Sequence, residues 1–213
     1  MSVAVRAFTG AGAMGGVTTA SRGTMLLGNS VVAAAQKLQA DLKGHCLADL
    51  AGRSYFARFA VDWTTEHNVD GEIMSHFAYG FATHLVLLDD DGRLEKVVAA
   101  HDGGKIINPV LFEGQVEGGV VMGLGYALSE RLPLKDGRLT STRLGKLGLL
   151  KAGDVPEIEV IGVEYPDPIG PFGAKGVGEI ACIPTAAAVA NAFCRYDGRR
   201  RYSLPLSQVK KPV

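Results

Sequence analysis

The chain has 213 residues, 47% hydrophobic and 21% charged, enough for one sizeable buried core. Its 22 basic residues balance its 22 acidic ones, so no net field invites nucleic acid or an anionic membrane surface. The three cysteines, Cys46, Cys182 and Cys194, form no CxxC pair, which argues against a zinc or iron–sulfur site built from this chain and for a reduced, cytoplasmic setting. The apolar runs are short and broken by glycine, so no membrane span is expected, and the first residues lack a signal-peptide pattern.

Residues 1–16 read as a flexible leader. Within it, Gly10, Gly12 and Gly15 match GxGxxG spacing, but Val17-Thr18-Thr19 follows where a dinucleotide fingerprint requires a helix. Ser30 is placed to cap a helix from Val31 to about Leu42, with Val31, Ala34, Ala35, Leu38 and Leu42 on one stripe and Gly44 as its stop. Residues 53–65, rich in aromatics and threonines, predict a strand with an irregular end. Thr83–Leu88 and Leu94–Ala100 flank Asp89-Asp90-Asp91-Gly92, a strong hairpin signal.

An ordered loop from His101 to Pro109 leads into a helix over 110–129, with Val116, Val120, Leu124 and Leu128 on one face. Gly118, Gly119, Gly123 and Gly125 weaken that helix and make sense where another element packs tightly against it. Residues 131–155 read as a loop with room for one short helix, and Glu157–Glu164 as a strand. A glycine-rich loop carrying Glu179 precedes a helix from Pro184 to Arg195, with proline at the first helical position, and a polar tail, 207–213, ends the chain. Strands and helices are interspersed without strict alternation, which predicts an α+β fold with a mixed sheet in one domain, 17–206.

Three segments carry the chemistry. Thr18, Thr19, Ala20, Ser21, Arg22 and Thr24 offer hydroxyls and free backbone N–H groups suited to a phosphate, or equally form an ordinary cap loop. Gln115 lies between glycines on the second helix; it is an exposed helix residue, which the flanking glycines argue against, or an amide whose donors and acceptor serve a ligand. His101 and Asp102 read as structural. Gly173–Ala192 places a single carboxylate, Glu179, between a glycine-rich loop and a helix start; it is a solvated or capping group, or a functional one. Lys175 reads as a charge that stabilises the loop.

These segments, in this order, resemble the C-terminal part of the molybdenum subunit of the xanthine dehydrogenase and aldehyde oxidoreductase family. Residues 83–130 and 155–206 are most similar to its selenium-dependent xanthine dehydrogenase branch. The resemblance implies a molybdopterin-binding domain. It implies that Thr18, Thr19, Ala20, Ser21, Arg22, Thr24, Gln115, Gly176, Val177 and Gly178 contact the cofactor, as the plain pterin or its cytosine dinucleotide. It makes Glu179 the catalytic base for hydroxylation of an N-heterocycle or aldehyde carbon with water, and it places the metal on pterin sulfurs, with no protein ligand. It also implies iron–sulfur clusters and FAD on partner subunits, and the N-terminal half of the molybdenum subunit as a separate chain. A homo-oligomer is compatible with it. The same resemblance fits a non-catalytic relic or assembly domain.

Overall fold

The computed structural model describes residues 2–5, 17–62, 64, 76, 78–207 and 209. The discounted GxGxxG match and most of the expected leader and tail lie outside them. In chain order the elements are α1 (Gly23–Asp41), β1 (Ala82–Leu88), β2 (Leu94–Asp102), α2 (Pro109–Leu128), β3 (Leu134–Lys135), β4 (Arg138–Leu139), β5 (Glu157–Val163) and α3 (Thr185–Asp197). A three-stranded sheet has the order β1-β2-β5, with β1 antiparallel and β5 parallel to β2. This is the expected mixed sheet of an α+β fold, and α2 lies between the two parallel strands in the chain.

The sheet buries one face. Along β1 and β2 the inward positions are His84 and Val86, and Val97, Ala99 and His101. They meet Val116, Val120 and Leu124 of α2 and Val189 and Phe193 of α3 in a single core. The hairpin closes as expected around Asp89, whose carboxylate accepts the N–H groups of Asp91 and Arg93. Asn108 caps α2 by accepting the Leu111 N–H at 3.1 Å, with Pro109 at the first helical position. The crowded glycines of α2 have a specific cause. A Cβ on Gly119 would lie 2.4 Å from the Ala181 methyl, and one on Gly123 would lie 2.5 Å from the Thr185 Cβ. The segment that follows Glu179 therefore sits directly on the α2 backbone.

Four expectations are corrected. The first helix begins at Gly23, not Val31, and Arg22 precedes it without a side-chain cap. Ser30 is internal: its hydroxyl donates to the Leu26 carbonyl and accepts the Phe59 N–H. Only Met25 of α1 is fully buried, so the expected stripe from Val31 onward does not face the core. Residues 53–62 form no strand; the segment runs beside α1, where Lys37 Nζ donates to the Phe56 carbonyl. Residues 131–155 contain a small hairpin, β3–β4, turned by Asp136 and Gly137, both at positive φ, and two short 3-10 turns. The third helix starts one residue later than expected, at Thr185, and Gly198 ends it in the left-handed conformation.

The core also holds a polar chain. His84 Nε2 lies 2.7 Å from His101 Nε2, and His84 Nδ1 lies 3.2 Å from Thr185 Oγ1. Burial, and secondarily the charge that a protonated His101 would carry, pushes His84 down to about 4. Burial also lowers His101.

Two predictions follow from this packing. Gly119→Ala should destabilise the chain by about 1–3 kcal/mol in denaturant unfolding, because Ala181 must move. Gly114→Ala, with nothing near its Cβ position, should instead stabilise it by roughly 0.5–1 kcal/mol. The histidine pair makes stability depend on pH with a definite sign. The unfolded His84 takes a proton near 6.5, which the folded chain accepts only near 4. Stability is therefore full above about 6.5 and falls as the pH drops from there toward 4. Unfolding midpoints measured across this window should flatten in His84→Gln, and an unchanged slope would contradict the assignment.

Candidate functional site

The site is built around the end of β2. Asp102 is 3% exposed and Lys175 is 8% exposed, and their Oδ2 and Nζ atoms lie 2.5 Å apart. The other oxygen of Asp102 accepts the Gly104 N–H at 2.9 Å and the Tyr165 N–H at 3.3 Å. The Lys175 backbone N–H donates to the Gly103 carbonyl, and the Lys105 N–H donates to Gly173. The Lys175 ammonium also stands 5.3 Å from the Tyr165 ring centre. Both buried charges are thus paired and hydrogen-bonded, the condition for keeping them inside. Lys175 has the loop-stabilising place expected of it, and His101 and Asp102 both sit in structural networks.

From this anchor the chain runs along the start of α1. Ala20 and Ser21 adopt left-handed backbone angles, φ 52° and 54°, which are costly for residues with a Cβ. Gly176 passes so close that a Cβ there would lie 1.6 Å from the Ser21 carbonyl oxygen. The Ser21 hydroxyl accepts the Glu179 N–H at 2.9 Å. A Cβ on Gly178 would lie 3.7 Å from Gln115 Oε1 and 3.9 Å from Ser21 Oγ. Three stretches distant in sequence therefore meet at one place: Ser21, Gln115, and Gly176 to Glu179.

The remaining residues of the first segment flank this point. Ala20, Ser21 and Arg22 line a cavity of about 100 Å³ together with Met25, Lys175 and Gly176. One guanidinium N–H donates from Arg22 to the Val17 carbonyl, whereas its Nε is buried without a partner. Thr18, Thr19 and Thr24 are exposed at the same end of α1, and Val177 is half-buried.

Glu179 is exposed and stands at the head of the 3-10 turn Ile180–Cys182. Its side chain caps neither this turn nor α3, which leaves the solvated and the functional readings. Its carbonyl accepts the Cys182 thiol at 3.2 Å. Gln115 is likewise exposed on α2. Sequence reasoning missed His84 and Thr185, which lie beneath this turn. A polar residue at an inward position of an otherwise apolar strand was the available signal for His84.

Comparison with known proteins identifies the family. The model of the molybdopterin cofactor-binding domain matches residues 43–156, a span that contains Gln115 but neither Ser21 nor Glu179. The chain is 37% identical over 116 residues to the xanthine dehydrogenase molybdenum-binding subunit of Escherichia coli O157:H7, covering 54% of this chain and 15% of that protein. It is 35% identical over 118 residues to the aldehyde oxidoreductase molybdenum-binding subunit PaoC of Escherichia coli K12, covering 54% of this chain and 16% of that protein. The crystal structure of the aldehyde oxidoreductase from Desulfovibrio desulfuricans ATCC 27774 superposes with a TM-score of 0.68 at 28% identity, over 84% of this chain and 21% of that one. The chain thus spans about one sixth of the length of the curated relatives it matches. With the family model covering more than half of it, this chain belongs to the molybdopterin cofactor-binding domain family of the xanthine dehydrogenase and aldehyde oxidoreductase type.

Proposed function

We propose that this chain forms one side of a molybdenum-pterin site and supplies Glu179 as general base for hydroxylation of an N-heterocycle or aldehyde carbon by water. The observation that carries this reading is the meeting of Ser21, Gln115 and Gly176–Glu179 at one point.

The residues present fit such a cofactor. Arg22 Nε is a buried donor without a partner beside two hydroxyl-bearing residues and a helix start, a donor set suited to a phosphate. Thr18, Thr19, Ala20, Ser21, Arg22 and Thr24 would hold the phosphate end. Gly176, Val177 and Gly178 would give close backbone approach, and the Gln115 amide would meet the pterin edge. The same donors would hold the phosphate of a cytosine dinucleotide form. When bound, the group supplies a metal that acidifies water and takes up the electrons of the oxidised carbon.

What this chain contributes is position and a proton acceptor. The Glu179 backbone is fixed by Ser21, while its carboxylate stays out of any capping bond and can accept a proton at either oxygen. The similarity to xanthine dehydrogenase subunits supports purines as the substrate class, and three cysteines without a CxxC pair support a cytoplasmic setting.

The site needs a cover. Val110, Leu111, Met122 and Tyr126 on α2 are 60–76% exposed, and Phe172 and Ile183 flank the Glu179 loop at 77% and 71%. Such an apolar rim expects a partner surface. The remaining portion of a molybdenum subunit would provide it, with iron–sulfur and FAD subunits carrying electrons away. By itself the chain should hold no stoichiometric molybdenum and show no turnover.

In the complex assembled with those partners, Glu179→Gln should keep its molybdenum and lose turnover by ~10²–10⁴. Gln115→Ala should lower cofactor retention instead. Metal analysis and steady-state rates check both. Near wild-type turnover in Glu179→Gln at full metal content would refute the base, and an assembled wild-type complex that binds the pterin without turnover would make the domain a relic.

A further inference from the structure

We propose that His84 is a positioning residue for Glu179, acting through a hydrogen-bond chain of fixed direction that runs from His101 through His84 and Thr185 to the Ala181 carbonyl. The proposal rests on the reading of Glu179 as the base.

The direction follows from counting protons. Thr185 has one hydroxyl proton, and it donates to the Ala181 carbonyl at 3.4 Å. Its oxygen must then accept from His84, so the proton of neutral His84 is on Nδ1, 3.2 Å away. His84 Nε2 is left bare and accepts the Nε2–H of His101 at 2.7 Å. That leaves His101 Nδ1 without a proton, and this atom is buried with no partner among the described residues. The opposite direction would bury an unpaired N–H at the same place. An orphaned donor is rarer in folded proteins than an under-satisfied acceptor, so the first direction holds.

The chain ends where Glu179 is set. Ala181 lies in the turn that follows Glu179, pressed against Gly119, and Thr185 is pressed against Gly123. Ser21 fixes the Glu179 N–H from the other side. Two neighbouring residues of β2 thus hold both ends of the 175–185 segment: Asp102 holds Lys175 directly, and His101 holds Thr185 through His84. A histidine suits position 84 because a neutral imidazole donates at one ring nitrogen and accepts at the other, across the width of the ring.

Two measurements test the proposal. Nitrogen-15 NMR of the full chain at neutral pH should show His84 protonated at Nδ1 alone and His101 at Nε2 alone. The reverse tautomers, or a charged ring in either residue, would overturn it. In the cofactor-loaded complex, His84→Leu should lower kcat by about tenfold or more, with KM and molybdenum content unchanged, since small misplacements of a catalytic group cost up to ~10²-fold. His84→Gln, which can still donate and accept, should restore most of the rate. Equal losses in the two variants would indicate simple packing and overturn the proposal. If His84→Leu does not fold, Thr185→Val, which removes only the hydroxyl, carries the same kcat comparison. Glu179→Gln assayed alongside separates the two readings. Full activity in Glu179→Gln removes the base, whereas an inactive Glu179→Gln beside a fully active His84→Leu removes only the positioning role.

Discussion

The buried ion pair between Asp102 and Lys175 is the constraint on which the Glu179 loop depends. Removing one partner of such a pair leaves an uncompensated buried charge and costs about 3–5 kcal/mol. Exposed pairs such as Arg53 with Asp41 and Lys105 with Glu164 belong to a class that contributes about 0–1 kcal/mol. Arg201 and Asp197 are just as buried as the central pair, but they brace the end of α3, away from the loop. Asp102 alone joins the end of β2, the Gly104 turn, the chain after β5 and the Glu179 loop. Losing it would loosen four backbone segments together.

Around that anchor the backbone packs at distances that allow no side-chain growth. Gly104 has φ 61°, and a Cβ there would lie 2.3 Å from the Gly173 carbonyl. Gly176 has the same relation to Ser21, and Gly119 and Gly123 to the turn after Glu179. Strain at Ala20 and Ser21, of order 1–3 kcal/mol each, persists because both are held between α1 and this loop. The reward is position: the Ser21 hydroxyl reaches the Glu179 N–H, and the Gln115 amide comes beside Gly178. A site assembled from three distant stretches depends on such fixed backbone more than on any single contact.

Much of this was legible in the residue pattern, for physical reasons. The β1–β2 hairpin carried its turn chemistry and α2 its apolar face, while Pro109, read as the end of a loop, is the first residue of α2. The glycines of α2 announced a close neighbour, and Ala181 and Thr185 are that neighbour. The start of α1 was hidden because Gly23 and Gly28 are poor helix formers. The packing of Gly28 against Pro171 is a tertiary contact that propensity cannot reveal. Residues 53–62 have strand composition but lie along α1 instead of a sheet edge. The β3–β4 hairpin did carry a signal, Asp136-Gly137, though strands of two residues leave almost no alternation to read. The motif around Glu179 was visible as a motif. Its pairing with Ser21, and the histidine chain beneath it, depend on register and on contacts between residues about 100 or more positions apart.

Amide hydrogen exchange on Lys175→Met shows whether the Asp102–Lys175 pair holds the Glu179 loop. Amides of residues 176–183, the Glu179 N–H among them, should lose protection by more than about tenfold while those of Val116–Leu124 in α2 keep theirs. Unchanged exchange at Glu179, or an equal loss through α2, would show that the loop is held by something other than the Asp102–Lys175 pair.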